Sequence, residues 1–250
     1  MPEAARGSGT QAAAPRGPPG RSRAPDVPTA SGPGGSGRGV RPEAVIAILW
    51  DQPLSAINTN AYANQEFPAY PTYSSFLADD FVVPAGGWQI SAIFVPGNGW
   101  NGFTTILNAT MLHFEICADA AGLPAGYPGG AAPLWSLAAA PTDAQFTITA
   151  GSGGYPSNVL VTPTVQPTLT PGTYWLIFYP TMNFSPTGQY GLQPADTTNG
   201  AATRWINPGG GFAYGTTWQS PSVLGMTQQD LAFRIEGVAL PVGLQTLSIE

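Results

Sequence analysis

Glycine and proline interrupt this chain so often that long helices are excluded. The 250 residues include 32 glycines and 27 prolines, close to a quarter of the sequence. Both residue types disfavour helix interiors, because glycine loses the most backbone entropy on folding and proline lacks an N–H donor. Short apolar runs lie between Pro-Gly, Gly-Gly and Asn-Gly pairs, a spacing typical of β-strands joined by turns. The pattern therefore predicts an all-β protein.

Two segments show the period-two alternation of a strand. Apolar residues recur at every second position from Trp88 to Phe94, and Leu231, Phe233 and Ile235 alternate with polar or small neighbours. Many short strands without a helix favour a two-sheet antiparallel sandwich of jelly-roll type. We expect strands over residues 44–50, 81–84, 88–95, 110–117, 133–138, 145–149, 158–162, 173–180, 188–193, 203–206 and 230–237.

Composition divides the chain into three parts. Residues 1–41 contain no aromatic residue, leucine or isoleucine, so they cannot bury enough apolar surface to offset their ordering entropy. We expect a disordered arm at 1–41, a β-sandwich domain at 42–239, and a C-terminal extension at 240–250 that is an edge strand or a linker.

The charge distribution and the apolar runs limit the class of partner. The arm carries six of the eight arginines, whereas residues 42–250 carry two arginines and 12 acids. An acidic body of this kind does not bind nucleic acid through phosphates. No apolar run reaches the ~18 residues that span a bilayer. The N-terminus also lacks the apolar region of a signal peptide.

A shortage of reactive side chains argues against most enzyme chemistry. The chain contains no lysine, and His113 and Cys117 are its only histidine and cysteine. Schiff bases are excluded, and the usual zinc sites and nucleophile–base pairs lack their residues. His113 and Cys117 would share one face of a regular strand but lie ~13 Å apart along it, too far to share a metal ion. We therefore predict a non-catalytic protein without a required cofactor.

Two enzymatic alternatives stay open at this point. A hydrolase could be centred on His113, although this residue lies in an apolar segment beside Leu112 and Phe114. A carboxylate pair needs no histidine and would hydrolyse a polymer from two acids about 5–10 Å apart. The candidate acids are Glu66, Asp79, Asp80, Glu115, Asp119 and Asp230.

Four aspartates suggest a calcium site. Asp79, Asp80, Asp119 and Asp230 flank predicted strand ends in a chain with few charges. Calcium binds several hard oxygens, which loops at one end of a sandwich can supply. Because Asp79 and Asp80 are adjacent, they should point to opposite faces of a strand. The alternative is that these carboxylates accept backbone N–H groups and cap turns.

Aromatic residues in glycine-rich loops are the best candidates for ligand binding. Trp100 lies in the segment Pro96–Phe103, which reads as a loop, and Trp205, Tyr214 and Trp218 lie in or near a second glycine-rich stretch. Exposed rings can stack on the apolar faces of sugars while asparagine and glutamine donate hydrogen bonds. The alternative is that the tryptophans fold back into the ends of the sandwich, since tryptophan is usually buried.

A series of short motifs resembles a group of secreted bacterial β-sandwich domains found in extracellular proteins. The motifs lie within residues 46–238, in this order: Leu49–Gln52, Ala78–Gly87, Ala118–Pro124, Pro171–Trp175, Trp205–Phe212 and Asp230–Gly237. Ala121 departs from the group, which usually has glycine there. The resemblance implies an extracellular or cell-surface location and a β-sandwich fold, and it implies no particular activity.

Together these features predict a non-catalytic extracellular module for binding, adhesion or surface structure. An extracellular polysaccharide is the expected ligand, bound by the loop aromatics. One alternative is a fibre subunit that binds copies of itself, with the arm or residues 240–249 adding to a neighbour's sheet. The other is an extracellular polymer hydrolase that uses a carboxylate pair.

Overall fold

The computed structural model describes residues 6–7 and 45–242. Within these ranges the regular structure is mostly β, with 3₁₀ turns at Pro71–Tyr73, Ile106–Asn108 and Pro221–Leu224 and a short helical turn at Phe184–Thr187. The strands are β1 Arg6–Gly7, β2 Ala47–Gln52, β3 Ala61–Ala63, β4 Phe76–Val83, β5 Trp88–Val95, β6 Gly97–Trp100, β7 Met111–Ala118, β8 Trp135–Ala139, β9 Phe146–Ala150, β10 Pro156–Val161, β11 Thr168–Leu169, β12 Gly172–Thr181, β13 Gln189–Leu192, β14 Arg204–Ile206 and β15 Phe233–Ala239.

The strands form antiparallel sheets, which confirms the predicted all-β sandwich. One sheet has the order β2-β15-β5-β10-β9, with β11 also paired to β5, and a second has the order β14-β4-β12-β7-β8. A smaller sheet, β1-β3-β13-β6, adds to these two and was not expected from the sequence. Only β13 lies within a predicted strand, 188–193. The strands β1, β3 and β6 have two, three and four residues, too few to show an alternating pattern from which a strand can be recognised.

The main core lies between the six-stranded and five-stranded sheets. Phe81 of β4 stacks on Trp88 of β5 with 6.1 Å between ring centroids and 4° between ring planes. Leu176 and Phe178 of β12 and Ile235 of β15 are buried in the same cluster. Burying aromatic and branched side chains between the two sheets is the largest favourable contribution to this fold.

The five-stranded sheet is buried on its outer face as well. Trp175, Ile177 and Tyr179 of β12 form a second apolar cluster there, covered by side chains such as Tyr127 and Trp218 from loops. A strand that is buried on both faces reads as a continuous apolar run rather than an alternating one. This explains the unbroken sequence Tyr-Trp-Leu-Ile-Phe-Tyr in the centre of β12.

A β-bulge interrupts β5, so the predicted alternation does not hold along the whole strand. Ile90 pairs with Gly237 and Ala92 pairs with Glu236, so Ser91 is an extra residue in the ladder. The extra residue reverses the facing of the strand beyond it. Ile93 is therefore fully buried, and Phe94, which the alternation placed on the same face as Trp88, is only half-buried on the other side.

The sequence predicts a loop over Pro96–Phe103, but residues Gly97–Trp100 of this segment form strand β6, so that prediction is wrong. A Cβ on Gly97 would lie 1.9 Å from the Tyr190 hydroxyl oxygen, and a Cβ on Gly99 would lie 2.1 Å from the Phe103 ring. Glycine is needed here because aromatic rings pack directly on the strand backbone. The glycines therefore indicate close packing and not a turn.

The termini lie mostly outside the described residues. Arg6 and Gly7, within the arm expected to be disordered, pair antiparallel with Tyr62 and Ala61 of β3. The rest of the predicted arm lies outside the described residues, as does the end of the predicted extension from residue 243 onward. No helix among the described residues is long and apolar enough to cross a membrane.

Candidate functional site

Two loops, 67–74 and 207–220, lie together beside β14 and β4. Asn207 joins them: its Nδ2 donates to the carbonyl oxygens of Thr72 and Ser74, both at 2.8 Å, and its Oδ1 accepts the Phe212 N–H at 3.0 Å. The Asn207 side chain is fully buried. One asparagine therefore satisfies polar backbone groups of both loops and fixes their relative position.

Five aromatic side chains lie in these two loops, and we call them together the aromatic surface: Tyr70, Tyr73, Phe212, Tyr214 and Trp218. Tyr73 and Phe212 meet edge to face with 5.4 Å between centroids. Tyr70 is 49% exposed and Tyr214 is 46% exposed. Trp218 is half-buried against the outer apolar cluster of the five-stranded sheet.

Trp205 supports the aromatic surface from below. It is 0% exposed, and its Nε1 donates to the Ala63 carbonyl oxygen at 3.2 Å. Its ring meets Phe212 and Tyr214 edge to face, at centroid distances of 5.9 and 6.0 Å. The prediction that Trp205 binds ligand is therefore wrong, because no face of its ring reaches solvent. Trp205 holds in place two of the rings that do.

Trp100 lies away from the aromatic surface. It belongs to β6, opposite Gln189, and packs half-buried against the main core. Among the described residues it makes no ring contact with Tyr214 or Trp218. Tyr214 and Trp218 lie in the same loop, 207–220, but they pack on different clusters. The Tyr214 ring meets Trp205 of the main core, whereas Trp218 packs on the outer cluster of the five-stranded sheet. Trp100 lies in neither of the two loops. The sequence reasoning did not single out Tyr70 and Tyr73 as candidate binding residues. Their position in a short loop around Pro71 is a signal from which their exposure could have been predicted.

Asp79 and Asp80 point to opposite faces of β4, as their adjacency predicted. Asp79 faces the core, where its carboxylate accepts the Leu231 N–H at 2.7 Å and the Gln52 Nε2–H at 2.9 Å. Asp80 lies on the outer side and accepts the Ala201 N–H at 2.8 Å. Because Gln52 belongs to β2 of the opposite sheet, Asp79 links the two layers of the sandwich.

The other two aspartates also accept backbone N–H groups. Asp230 accepts the Asn199 N–H, and its other oxygen, Oδ1, is buried without a hydrogen-bond partner among the described residues. Asp119 accepts the Gly122 N–H at 3.1 Å and the Trp175 Nε1–H at 2.8 Å. Only Asp119 makes the local bond of the capping alternative, to the Gly122 N–H three residues along the chain. Asp79, Asp80 and Asp230 accept N–H groups from distant segments and so do not cap local turns.

Calcium binding stays a prediction. Within the described ranges, no three histidine, cysteine, aspartate or glutamate side chains lie close enough to hold a metal ion together. If calcium binds at the four aspartates, Asp79, Asp80, Asp119 and Asp230, a chelator should lower the melting temperature of the protein and added calcium should restore it. A melting temperature that a chelator leaves unchanged would end this prediction.

Burial controls the protonation of the core carboxyls. Loss of hydration raises the pKa of Asp79 well above its usual 3.8, and the charge of Asp230 raises it further. Loss of hydration also raises the pKa of Asp80 to about 6, although its hydrogen bond from Ala201 opposes the rise. The pKa of Asp230 is raised for the same reason. A buried carboxyl resists ionisation because the protein interior solvates charge poorly.

His113 belongs to a hydrogen-bonded row on the outer face of β7 and β12. Its Nε2 lies 2.8 Å from Thr181 Oγ1, and that hydroxyl donates to Glu66 Oε2. The imidazole stacks on Tyr179 at 4.4 Å, and the Tyr179 hydroxyl donates to Glu115 at 3.1 Å. In a serine-type triad the imidazole lies between hydroxyl and carboxylate. Here the Thr181 hydroxyl lies between the His113 imidazole and the Glu66 carboxylate, so the order differs from that of a triad.

Cys117 lies on the same face of β7 as His113, as the spacing predicted. Its side chain packs with Trp175 and Tyr179 in the outer apolar cluster. Burial and the nearby charge of Glu115 raise the pKa of the thiol to about 11. A thiol in this environment stays protonated and is a poor nucleophile and metal ligand.

An open groove of about 340 Å³ lies between β8 and β11, at one margin of the sandwich. Trp135, Leu169 and Tyr174 line it, and the Trp135 Nε1 donates to the Val165 carbonyl oxygen at 3.2 Å. Trp135 lies in a segment that the sequence predicts to be a strand, 133–138, and no feature of the sequence marks it as a binding residue. This groove is a second candidate binding position, and it lacks the strongly exposed rings of the aromatic surface.

Comparisons of the chain with protein-family models, with curated proteins and with solved structures find no match.

Proposed function

We propose that this protein is a non-catalytic extracellular binding module that holds a polysaccharide against its aromatic surface. The proposal rests on the exposure of two rings, Tyr214 at 46% and Tyr70 at 49%. Both lie in the loops whose relative position is fixed by the hydrogen bonds of Asn207. Rings held in place lose little conformational entropy when a ligand binds. A rigid exposed ring is therefore well suited to stacking on a sugar.

Polar groups beside the rings complete a site for an uncharged ligand. Thr216 and Thr217 are exposed next to Tyr214, and Gln219 follows Trp218. Hydroxyl and amide groups can exchange hydrogen bonds with sugar hydroxyls. The chain carries a formal net charge of −6 with 9% charged residues, so a neutral glycan is a better match than an anionic one.

Two features favour binding over catalysis. Asp79 and Asp230 are buried and engaged with backbone N–H groups, whereas a glycosidase places its two carboxyls beside the substrate. The Glu66, Thr181 and His113 side chains lie in an order that does not let the imidazole relay a proton between hydroxyl and carboxylate. The extracellular location is proposed from the motif series at residues 46–238.

The test is a titration of tryptophan fluorescence with soluble neutral polysaccharides such as hydroxyethyl cellulose, xylan and mixed-linkage β-glucan. We expect at least one of them to change the emission, because Trp218 lies in the site. Tyr214→Ala should weaken that binding about tenfold, since a stacking ring contributes on the order of 1.4 kcal/mol.

Tyr155→Ala is the matched control. Tyr155 is 43% exposed, close to the value for Tyr214, but it lies in the β9–β10 hairpin. The control should bind as the wild type does. Equal losses in Tyr155→Ala and Tyr214→Ala, or no response to any of the polysaccharides, would contradict the proposal.

A further inference from the structure

Arg204 carries a positive charge without a partner on the outer face of the five-stranded sheet. It pairs with Ala78 of β4, whose side chain belongs to the outer apolar cluster. The Arg204 side chain is half-buried, and its Nε is fully buried without a hydrogen-bond partner. Among the described residues the guanidinium forms no salt bridge and lies over no ring. Because a charge removed from water costs free energy unless a partner compensates for it, this position indicates a counter-charge from outside the described part of the chain.

Arg234, the other arginine between residues 45 and 242, has the partners that Arg204 lacks. Its Nε donates to Glu236 at 2.7 Å, and its guanidinium carbon lies 5.4 Å from the centroid of the Phe94 ring. The fold can therefore satisfy an arginine from its own side chains. The lack of a partner is particular to Arg204.

The carboxylates on and beside this face are engaged by other groups. Asp80 lies two residues along β4 from Ala78, so it shares the face with Arg204. It accepts the Ala201 N–H at 2.8 Å, and a Cβ on Gly200 would lie 2.5 Å from its Oδ2, so the backbone of residues 200–201 covers it. Three further carboxylates, Asp119, Glu115 and Glu66, accept hydrogen bonds from Trp175, Tyr179 and Thr181 respectively.

Trp218 of the aromatic surface is a diagonal neighbour of Arg204. Trp205 and Gln219 exchange backbone hydrogen bonds of 2.9 and 2.7 Å as an antiparallel pair. In that register Arg204 lies opposite Ser220 and Ile206 lies opposite Trp218, with all four side chains on one face. Trp218 and Ile206 indeed belong to the same outer cluster. Diagonal positions are within reach of long and aromatic side chains, so the guanidinium and the indole can contact one ligand.

We propose that Arg204 and Trp218 bind a uronic acid unit of the polysaccharide. The carboxylate pairs with the guanidinium, and the sugar ring lies on the indole. This inference rests on the proposed function, because it names the chemistry of one unit of that ligand. A planar carboxylate matches the fork of N–H donors on a guanidinium, which a tetrahedral phosphate or sulfate matches less closely.

The charge of the protein limits how many uronic acids the polysaccharide can carry. One guanidinium compensates for one carboxylate, whereas the four carboxylates around it and the formal net charge of −6 repel further anions. The ligand that fits is therefore a mostly neutral backbone with occasional uronic acid units, and a densely charged glycan is excluded.

The experiment is a fluorescence titration of the full chain with glucuronoxylan and with the same polymer after reduction of its uronic acids to neutral glucose units. We expect the wild type to bind glucuronoxylan about tenfold more tightly than the reduced polymer. Arg204→Gln should lose this preference and bind the two polymers with equal affinity. Arg204→Lys keeps the charge without the planar fork, so it should keep only part of the preference.

Arg234→Gln is the matched control, because it removes the same charge from the opposite sheet and should keep the preference. Arg204→Gln should melt at or above the wild-type temperature, since it removes a half-buried charge that has no partner among the described residues.

The outcomes separate this inference from the proposed function. Equal wild-type affinities for the two polymers overturn the inference and leave polysaccharide binding intact, whereas binding of neither polymer contradicts both. A preference that persists in Arg204→Gln, or that Arg234→Gln also loses, belongs to the general charge of the protein and overturns the site at Arg204.

Discussion

Replacing Trp205 with alanine should lower the free energy of unfolding by about 3–5 kcal/mol. The indole is fully buried, belongs to the main core, and donates a hydrogen bond to Ala63. Removing it leaves a cavity and removes the stronger of two hydrogen bonds to the Ala63 carbonyl oxygen, which keeps only the longer bond from the Ser75 hydroxyl at 3.3 Å. The cavity and the lost hydrogen bond together account for the expected loss. Urea unfolding at 25 °C, followed by circular dichroism, measures the effect.

The same substitution should also reduce ligand binding in the fraction that stays folded. Phe212 and Tyr214 rest edge to face on the Trp205 ring, so both lose their support. Trp205→Phe keeps an aromatic ring at this position and should recover most of the stability and most of the binding. If Trp205→Ala loses binding while its free energy of unfolding stays that of the wild type, Trp205 contacts the ligand directly and its assignment as a support is wrong.

Acidification from about pH 7.5 to about pH 5 should raise the melting temperature by several degrees, contrary to the usual behaviour of proteins. Burial raises the pKa values of Asp79, Asp80 and Asp230, and also that of Glu115. The folded protein therefore holds protons that the unfolded chain has already released. The stabilisation by these protons is fully present below the pKa values of the unfolded chain, 3.8 for the aspartates and 4.5 for Glu115. For Asp80 it is lost as the pH rises through the folded pKa of about 6.

His113 acts in the opposite direction. Burial lowers its pKa below the usual 6.5, so protonation of the unfolded chain reduces stability as the pH falls through that value. One imidazole opposes four carboxyls, and the net effect should be stabilisation by acid.

Asp80→Asn separates the contributions of these groups. The amide oxygen can still accept the Ala201 N–H, but the group no longer titrates. We expect the variant to be about 2 kcal/mol more stable than the wild type at pH 7.5 and to show a flatter pH profile. Asp143→Asn, in the turn after β8, is the matched control. A melting temperature that falls on acidification, or an Asp80→Asn profile identical to that of the wild type, would contradict this account.

The fold could be predicted from the sequence largely because glycine, proline and apolar runs act locally. The alternation of Leu231, Phe233 and Ile235 put these residues in the core, where they are 3%, 3% and 0% exposed. The bulge at Ser91 could not be predicted in this way, since a one-residue insertion in a ladder depends on the partner strand β15.

The candidate site was harder to predict than the fold. The local sequence around a tryptophan in a glycine-rich stretch does not show whether its ring is exposed or buried. Trp218 is half-buried and Trp205 is fully buried, although both lie in or near the same stretch. The difference is set by pairing: Trp205 exchanges backbone hydrogen bonds with Gln219 and lies opposite Leu77 of β4. These contacts join residues far apart in the sequence, so no local pattern records them.

The most direct test of the proposed binding surface is hydrogen–deuterium exchange of the full chain with and without the polysaccharide that binds it best. Bound polysaccharide should slow exchange in residues 67–74 and 207–220 and leave the β9–β10 hairpin and β2 unchanged. Protection that appears instead around Trp135 and residues 167–170, or no protection in residues 207–220, would contradict the assignment of the aromatic surface as the binding site.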